Sequence, residues 1–194
     1  MIVELYFDTP GFCDPDPGNN FFHHQTYFDF IKDDVEVPIA DIGATNPRKE
    51  WIEQNLGIKI ESIEADFNFD SFNFQANTIL FFEVLEHLVN PLWAMKQIAN
   101  NMSTSTVLYL STPYRFPFLI KEYNPHHFQE YPKWKLEKWL LQPLGLRVIE
   151  HKKIFGGVTV PARKWFTGIR PLLFRLPMWH LTGKWTNIYK IKLA

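Results

Sequence analysis

The sequence predicts an α/β fold in which a mostly parallel sheet is covered by helices on both faces. Three observations support this prediction: strand-like and helix-like segments alternate, the strands are almost fully apolar, and turn residues separate them. Continuous apolar strands are typical of parallel sheets, because both faces of such a sheet are buried. The chain has 194 residues, 46% hydrophobic and 16% aromatic, so a large core is expected.

The pattern places each element in turn. Residues 1–35 are expected to form a leader or lid with one short helix, and residues 36–194 a single domain with a basic aromatic insertion at 156–185. In the next helix Asn46 is the expected cap, Pro47 suits the first position, and Gly57 ends it. The predicted helices are 21–31, 47–56, 88–102 and 134–141, and the predicted strands are 35–40, 58–66, 77–82, 106–110, 146–149 and 187–193.

Composition excludes several classes of protein. The single cysteine, Cys13, rules out a disulfide framework and a cysteine-rich zinc site. No segment has the pattern of a signal peptide, and no apolar run is long enough to span a membrane. These features indicate a reducing, cytoplasmic setting.

Charge is distributed unevenly along the chain. Residues 1–150 carry all 21 acidic side chains against 11 basic ones, whereas residues 151–194 carry nine basic and no acidic side chains. Within that basic end, residues 161–185 interleave arginine and lysine with tryptophan and phenylalanine. This pattern suits peripheral contact with a membrane, but equally a substrate-covering insertion or a dimer surface. Stacking on single-stranded nucleic acid would use the same residue types.

Acidic and small residues follow two of the predicted strands. Asp41 and Gly43 lie where the first strand turns into a helix, and Glu64 or Asp66 ends the second strand. Ligands of parallel α/β sheets bind at the carboxyl ends of the strands, where an acid can accept hydrogen bonds from both ribose hydroxyls. The pattern therefore predicts a nucleoside-binding crevice.

Four further motifs make the chain resemble a known family. The order DIG, EVLEHL, LYLSTP and H-x-x-E-Y, over residues 36–155, resembles class I S-adenosylmethionine-dependent methyltransferases, in particular their type 11 and type 12 branches. The resemblance implies a Rossmann-like sheet, shortened here relative to the usual seven strands, with an antiparallel final strand. It also implies S-adenosylmethionine as the cofactor.

The resemblance assigns cofactor-binding residues along the strand ends. It implies that the loop under the methionine part of the cofactor is degenerate here, because Thr45 and Pro47 stand where the family has glycines. A glycine there allows positive φ or close backbone approach, and a proline removes a donor. The implied cofactor-binding residues are Asp41, Gly43, Ala44 and Thr45 in the loop, Asp66 or Glu64 at the ribose, and Phe67, Phe82 and Glu83 lining the cofactor.

The EVLEHL motif also suggests chemistry at the methyl group. Methyl transfer to a hydroxyl requires removal of a proton, and His87 and His127 are the candidate catalytic residues. Glu83, Glu86 and His87 would share one face of a helix. These three residues resemble the metal ligands of ubiquinone-biosynthesis O-methyltransferases, and together with His127 they resemble those of small-RNA 2′-O-methyltransferases. The alternative is that these residues brace the helix start in a metal-free enzyme.

Three functional hypotheses follow. The first is a methyltransferase that methylates an oxygen of a small molecule, a glycan or a lipid-linked acceptor. The second is a catalytically silent methyltransferase-like scaffold, which the degenerate loop favours. The third is a metal-assisted RNA 2′-O-methyltransferase, which the basic end favours, although the acidic body opposes phosphate binding and nucleic acid is not the expected partner.

Overall fold

The computed structural model describes residues 25–44, 46–114, 127–155 and 185–194. Within these residues the chain forms one six-stranded sheet with the order β2-β1-β3-β4-β6-β5. The strands are β1 (Ile39–Ile42), β2 (Glu61–Ile63), β3 (Thr78–Phe82), β4 (Val107–Tyr114), β5 (Leu146–Phe155) and β6 (Trp185–Leu193). The helices are α1 (25–31), α2 (Pro47–Leu56), α3 (Pro91–Asn100) and α4 (Lys133–Lys135), which continues as a π-helix (Leu136–Leu141) and a 3-10 turn (Gln142–Leu144).

Strand directions confirm the predicted fold class. The first four strands in the order, β2, β1, β3 and β4, are parallel to one another. The last strand, β6, lies between β4 and β5 and is antiparallel to both. The Rossmann-like sheet is shortened as expected, because residues 64–77, which connect β2 to β3, contain neither a helix nor a strand.

Several predicted boundaries were wrong by a few residues. The first strand runs to Ile42 rather than ending at 40, because its backbone continues to pair with β2. The third helix begins at Pro91 rather than at residue 88, because Asn90 caps it and accepts from the Trp93 N–H. The fifth strand continues to Phe155, since its alternating polar residues pair with the whole length of β6.

The sheet has a hydrophobic core on each face. On one face α3 and the π-helix cover alternate residues of β3, β4 and β6, such as Phe81 and Leu110. On the other face α1 and α2 cover the intervening residues, such as Leu80 and Tyr109. Because both faces are buried, the carboxyl ends of the parallel strands are left as the place for a ligand.

Candidate functional site

The strand order reverses at β1, which has β2 on one side and β3 on the other. This is the position where open α/β sheets form a crevice at the carboxyl ends of their strands. Ile42 pairs with Ile63 and Phe82 pairs with Ser111. The residues that follow the strands, Gly43, Glu64 and Glu83, therefore emerge at the same edge of the sheet.

Gly43 makes the turn that leaves β1. Its φ is 145°, and a Cβ placed on it would lie 3.1 Å from Cγ2 of Val84. Its N–H donates to the Ile63 carbonyl, 3.2 Å away. Glycine is therefore required twice here, once by the backbone conformation and once by the close approach of the segment after β3.

We expect Gly43→Ala to lower the free energy of unfolding by about 1–3 kcal/mol, because alanine is strained at this φ and crowds Val84. Urea unfolding of the variant and the wild-type protein measures the difference. Gly57→Ala is the matched control, since Gly57 also has positive φ (67°) but has no atom within 4 Å of an added Cβ. An equal loss in both variants would contradict the role given to the Val84 contact.

The start of α2 is closed by its own cap. Asn46 Oδ1 accepts the Lys49 N–H at 3.1 Å, and Asn46 Nδ2 donates to the Ala44 carbonyl at 3.0 Å. Pro47, at the first helical position, has no N–H and is exposed to solvent, so it does not fill the crevice. A helix start usually offers its first backbone N–H groups to an anion, and here only the N–H of Arg48 is left for that purpose among the described residues.

Asp41 is a buried carboxylate behind this loop. It is 5% exposed, and its Oδ2 has no hydrogen-bond partner among the described residues. Burial raises the pKa of Asp41 to about 7, against the opposing effect of the Arg48 and Lys49 charges. A carboxylate that is half-ionised near neutral pH is well suited to receive a cationic ligand group.

A hydrogen-bonded triangle closes the crevice at β3 and β4. Ser111 Oγ donates to Glu83 Oε1 at 2.7 Å and accepts the Glu83 N–H at 3.0 Å. The hydroxyl of Tyr27, on α1, lies 3.1 Å from Glu83 Oε1 and 3.0 Å from Ser111 Oγ. Burial, followed by the Glu83 charge, raises the pKa of Tyr27 well above 10, so its hydroxyl stays protonated and donates.

The EVLEHL segment does not form the predicted helix face. Glu83 has a left-handed φ of 57°, and only Leu85–His87 is helical, as a 3-10 turn. The Glu83 carboxylate therefore bonds to Ser111 and Tyr27, and Glu83 lies outside the helical turn that carries Glu86 and His87. Spacing by three and four residues gives a common face only where the backbone is continuously helical, which is the physical reason for the error.

Glu86, His87 and His127 nevertheless lie together. One potential ligand atom from each residue lies within 4.8 Å of the others. The two imidazole rings are 4.9 Å apart, and the Phe128 N–H donates to the Glu86 carbonyl at 2.8 Å. The cluster is thus built from the turn after β3 and the segment 127–130.

Glu86 is fully buried, and both carboxylate oxygens lack a hydrogen-bond partner among the described residues. His87 Nε2 lies 3.9 Å from Oε1, beyond hydrogen-bond distance. Burial, followed by the Glu83 charge, raises the pKa of Glu86 well above its usual range. An unpaired buried carboxylate is costly, so the Glu86 side chain is held in its neutral form.

The two acids expected at the ribose differ in their surroundings. Asp66 Oδ1 accepts from the backbone and side-chain N–H groups of Asn68, at 3.0 and 3.2 Å, and so fixes a turn. Phe67, next in the chain, is buried against Phe72 with ring centroids 5.3 Å apart. Glu64 directly follows β2, beside Gly43 in the register of the sheet.

Arg48, Tyr27 and Ser111 were missed as site residues. Arg48 directly follows Pro47, which stands where the resembling family has a glycine, and this neighbouring position is the sequence signal that could have identified Arg48. Ser111 lies in the LYLSTP motif, but the sequence pattern assigns no role to its hydroxyl. Nothing near Tyr27 in the sequence marks it, because its partners are 56 and 84 residues away. Thr45 and residues 156–184 of the predicted insertion lie outside the described residues.

Comparisons with known proteins show which solved structures share this fold. No family model and no curated protein matches the sequence. Similar solved structures include an S-adenosylmethionine-dependent methyltransferase from Archaeoglobus fulgidus, with TM-score 0.53, 14% identity, and coverage of 87% of this chain and 91% of the other. The O-methyltransferase of a Brevibacillus brevis trans-AT polyketide synthase multienzyme, in complex with S-adenosyl-L-homocysteine, has TM-score 0.50, 14% identity, and coverage of 96% and 81%.

The same fold also carries other chemistry. The [4+2]-cyclase SpnF is similar with TM-score 0.54 and 9% identity, over 89% of this chain and 81% of the other. At these identities the comparisons establish the fold of S-adenosylmethionine-dependent methyltransferases, and the reaction must be argued from the site. Among the described residues, no helix combines the length and apolar character needed to cross a bilayer.

Proposed function

We propose that this protein is an S-adenosylmethionine-dependent methyltransferase that methylates an oxygen of a small-molecule, glycan or lipid-linked acceptor. The observation that carries the proposal is the convergence of Asp41, Glu64 and Glu83 at one edge of the sheet, where the strand order reverses. The buried carboxylate of Asp41 and the carboxylates of Glu64 and Glu83 at the neighbouring strand ends suit a ligand that carries an ammonium group and a ribose. Calorimetry with S-adenosylmethionine and S-adenosylhomocysteine tests the proposal, and absence of heat with both at millimolar concentration would refute it.

We expect Glu64 rather than Asp66 to hold the ribose, because Glu64 directly follows β2 beside Gly43, whereas Asp66 lies further along, in a turn fixed by Asn68. Glu64→Ala should weaken S-adenosylhomocysteine binding about 10- to 100-fold, the cost of leaving buried hydroxyls unpaired. Asp66→Ala is the matched control and should change affinity less than threefold once the folded fraction is accounted for. The reverse ranking, measured by calorimetry, would return the role to Asp66.

On the acceptor side, His127 and His87 are the groups suited to remove a proton. His127 Nδ1 lies 3.2 Å from Glu130 Oε1, and a carboxylate at that distance fixes the orientation of an imidazole. A sulfonium methyl leaves readily, so alignment of the acceptor oxygen and loss of its proton are the tasks left to the protein. The choice of acceptor then depends on residues around these two rings.

A divalent ion would fit beside the same residues. Glu86, His87 and His127 offer one carboxylate and two imidazoles, a donor set typical of Zn²⁺, and the orphaned Glu86 oxygens gain a partner when a cation binds. Glu83 is not part of this set, because its carboxylate is bound by Ser111 and Tyr27. When bound, the ion would supply Lewis-acid polarisation of an acceptor oxygen.

We expect His127→Ala to reduce Zn²⁺ affinity about 10- to 100-fold, because the cluster loses one of its three ligands. Equilibrium dialysis with Zn²⁺ on the ligand-free protein measures this loss without any assay of activity. His151→Ala is the control, since His151 bonds to Asn187 on another strand and is not part of the cluster. Equal Zn²⁺ binding by all three proteins would mean that these residues only brace the turn.

The scaffold hypothesis remains the second candidate. Its support is the loop after β1, where Asn46 caps the helix and Pro47 offers no donor to a ligand. The same calorimetry separates the two hypotheses, because a scaffold gives no heat with either adenosyl compound. The RNA hypothesis ranks third, and a steep loss of RNA binding with added salt would be needed to revive it.

A further inference from the structure

The crevice beside β1 contains the guanidinium group of Arg48, whose Nε makes no hydrogen bond to any described residue. The guanidinium carbon of Arg48 lies 4.4 Å from the ring centroid of Tyr27 and 5.9 Å from that of Phe82. Phe82 is the last residue of β3, so the side chain of Arg48 crosses from the start of α2 to the neighbouring strand end. Its Nε is buried and has no acceptor among the described residues.

The backbone at the start of α2 has few free N–H groups with which to bind an anion. Asn46 already occupies the Lys49 N–H, and Pro47 has none, so the helix start offers little to an anion. A ligand carboxylate placed there would need another partner. The planar guanidinium, which presents paired N–H groups to a carboxylate, is chemically suited to that task.

Asp41 provides the complementary charge. It is buried, it has an unpartnered Oδ2, and its ionisation is favoured by the charge of Arg48. A cation and a carboxylate in one crevice match the carboxylate and the ammonium of an α-amino acid. The pair therefore selects for the zwitterionic end of a ligand and not for its nucleoside.

We propose that Arg48 binds the α-carboxylate of the methyl donor while Asp41 binds its ammonium group. This inference rests on the proposed function. It predicts that the protein distinguishes S-adenosylmethionine from its decarboxylated analogue, which differs from it by the carboxylate alone, through Arg48.

Calorimetry with these two compounds tests the inference. The wild-type protein should bind S-adenosylmethionine about 10- to 100-fold more tightly than the decarboxylated analogue, as expected for a charge-assisted hydrogen-bonded pair. In Arg48→Met the ratio should fall below threefold, because affinity for the intact donor drops while affinity for the analogue does not. Arg48→Lys keeps the charge without the planar fork and should give an intermediate ratio.

Lys49→Met is the matched control, since it removes the same charge one position along the helix. Lys49 Nζ donates to Ser62 Oγ at 2.6 Å, towards β2, so this variant should keep the wild-type ratio. A wild-type ratio in folded Arg48→Met would overturn the inference and leave the proposed function intact. If the wild-type protein binds neither compound, both the inference and the proposed function fail.

Discussion

Replacing Asp41 with Asn should raise the free energy of unfolding at pH 8 by roughly 2–4 kcal/mol, because the variant removes a buried negative charge. Burial raises the pKa of Asp41 from 3.8 to about 7 in the folded protein. At pH 8 the wild-type protein must ionise this carboxylate in a site that disfavours the charge. Asparagine has nearly the same shape and never ionises.

The pH dependence has a definite sign. Below pH 3.8 Asp41 is protonated in both states, and the charge costs nothing. Between pH 3.8 and about 7 the unfolded chain has lost this proton while the folded protein retains it, so stability falls as pH rises. Above about pH 7 both states are ionised and the full cost is present.

Urea unfolding of wild-type and Asp41→Asn proteins at pH 5 and pH 8 measures this effect. The difference between them should grow from pH 5 to pH 8, whereas the Glu86 carboxyl, also with a raised pKa, is common to both and cancels. Asp33→Asn is the matched control, since Asp33 is exposed. Parallel stability curves at the two pH values would show that Asp41 does not carry a destabilising charge.

The same variant connects stability to function. Natural sequences keep a costly buried carboxylate where a ligand makes use of it. Asp41→Asn should therefore be more stable and yet bind the donor less well, because its amide no longer attracts an ammonium group. Gain of stability without loss of binding would indicate that Asp41 acts on the fold alone.

Much of the fold could be predicted because its signals are local. The short apolar run at 77–82, bounded by turn residues, favours a buried strand, and Asn46, Pro47 and Gly57 mark both ends of α2. The shortened sheet was also predictable, since too few residues separate β2 from β3 for another helix and strand. These features depend on residues that are neighbours in the chain.

The organisation of the site could be predicted only in part, because its contacts are between distant residues. Strand ends identify Asp41 and Glu64, but sequence spacing cannot show that Glu83 leaves β3 with a positive φ. That one backbone dihedral directs Glu83 to Ser111 and keeps it out of the helical turn that carries Glu86 and His87. The contribution of α1 to the crevice likewise depends on tertiary packing, which the sequence pattern does not predict.

Replacing Tyr27 with Ala should lower the free energy of unfolding by about 3–5 kcal/mol, the largest loss that we expect from one residue of the site. Tyr27 is fully buried, packs edge-on against Phe82 with ring centroids 4.8 Å apart, and supports the guanidinium of Arg48. Its hydroxyl is bound to Glu83 and Ser111. The variant thus leaves a cavity and also removes a hydrogen-bond partner from the partly buried Glu83 carboxylate.

Two variants separate these contributions, with urea unfolding as the measurement. Tyr27→Phe keeps the ring and should lose about 1–3 kcal/mol, the cost of the missing hydroxyl beside the Glu83 carboxylate. Phe28→Ala, on the same helix, removes a ring that is only partly buried against Trp51 and should cost less than Tyr27→Ala. A larger loss of stability in Phe28→Ala would mean that α1 is anchored mainly through the contact of Phe28 with Trp51. Tyr27 contacts both Phe82 of β3 and Arg48. A larger loss of stability in Tyr27→Ala would therefore support the role of α1 in lining the crevice.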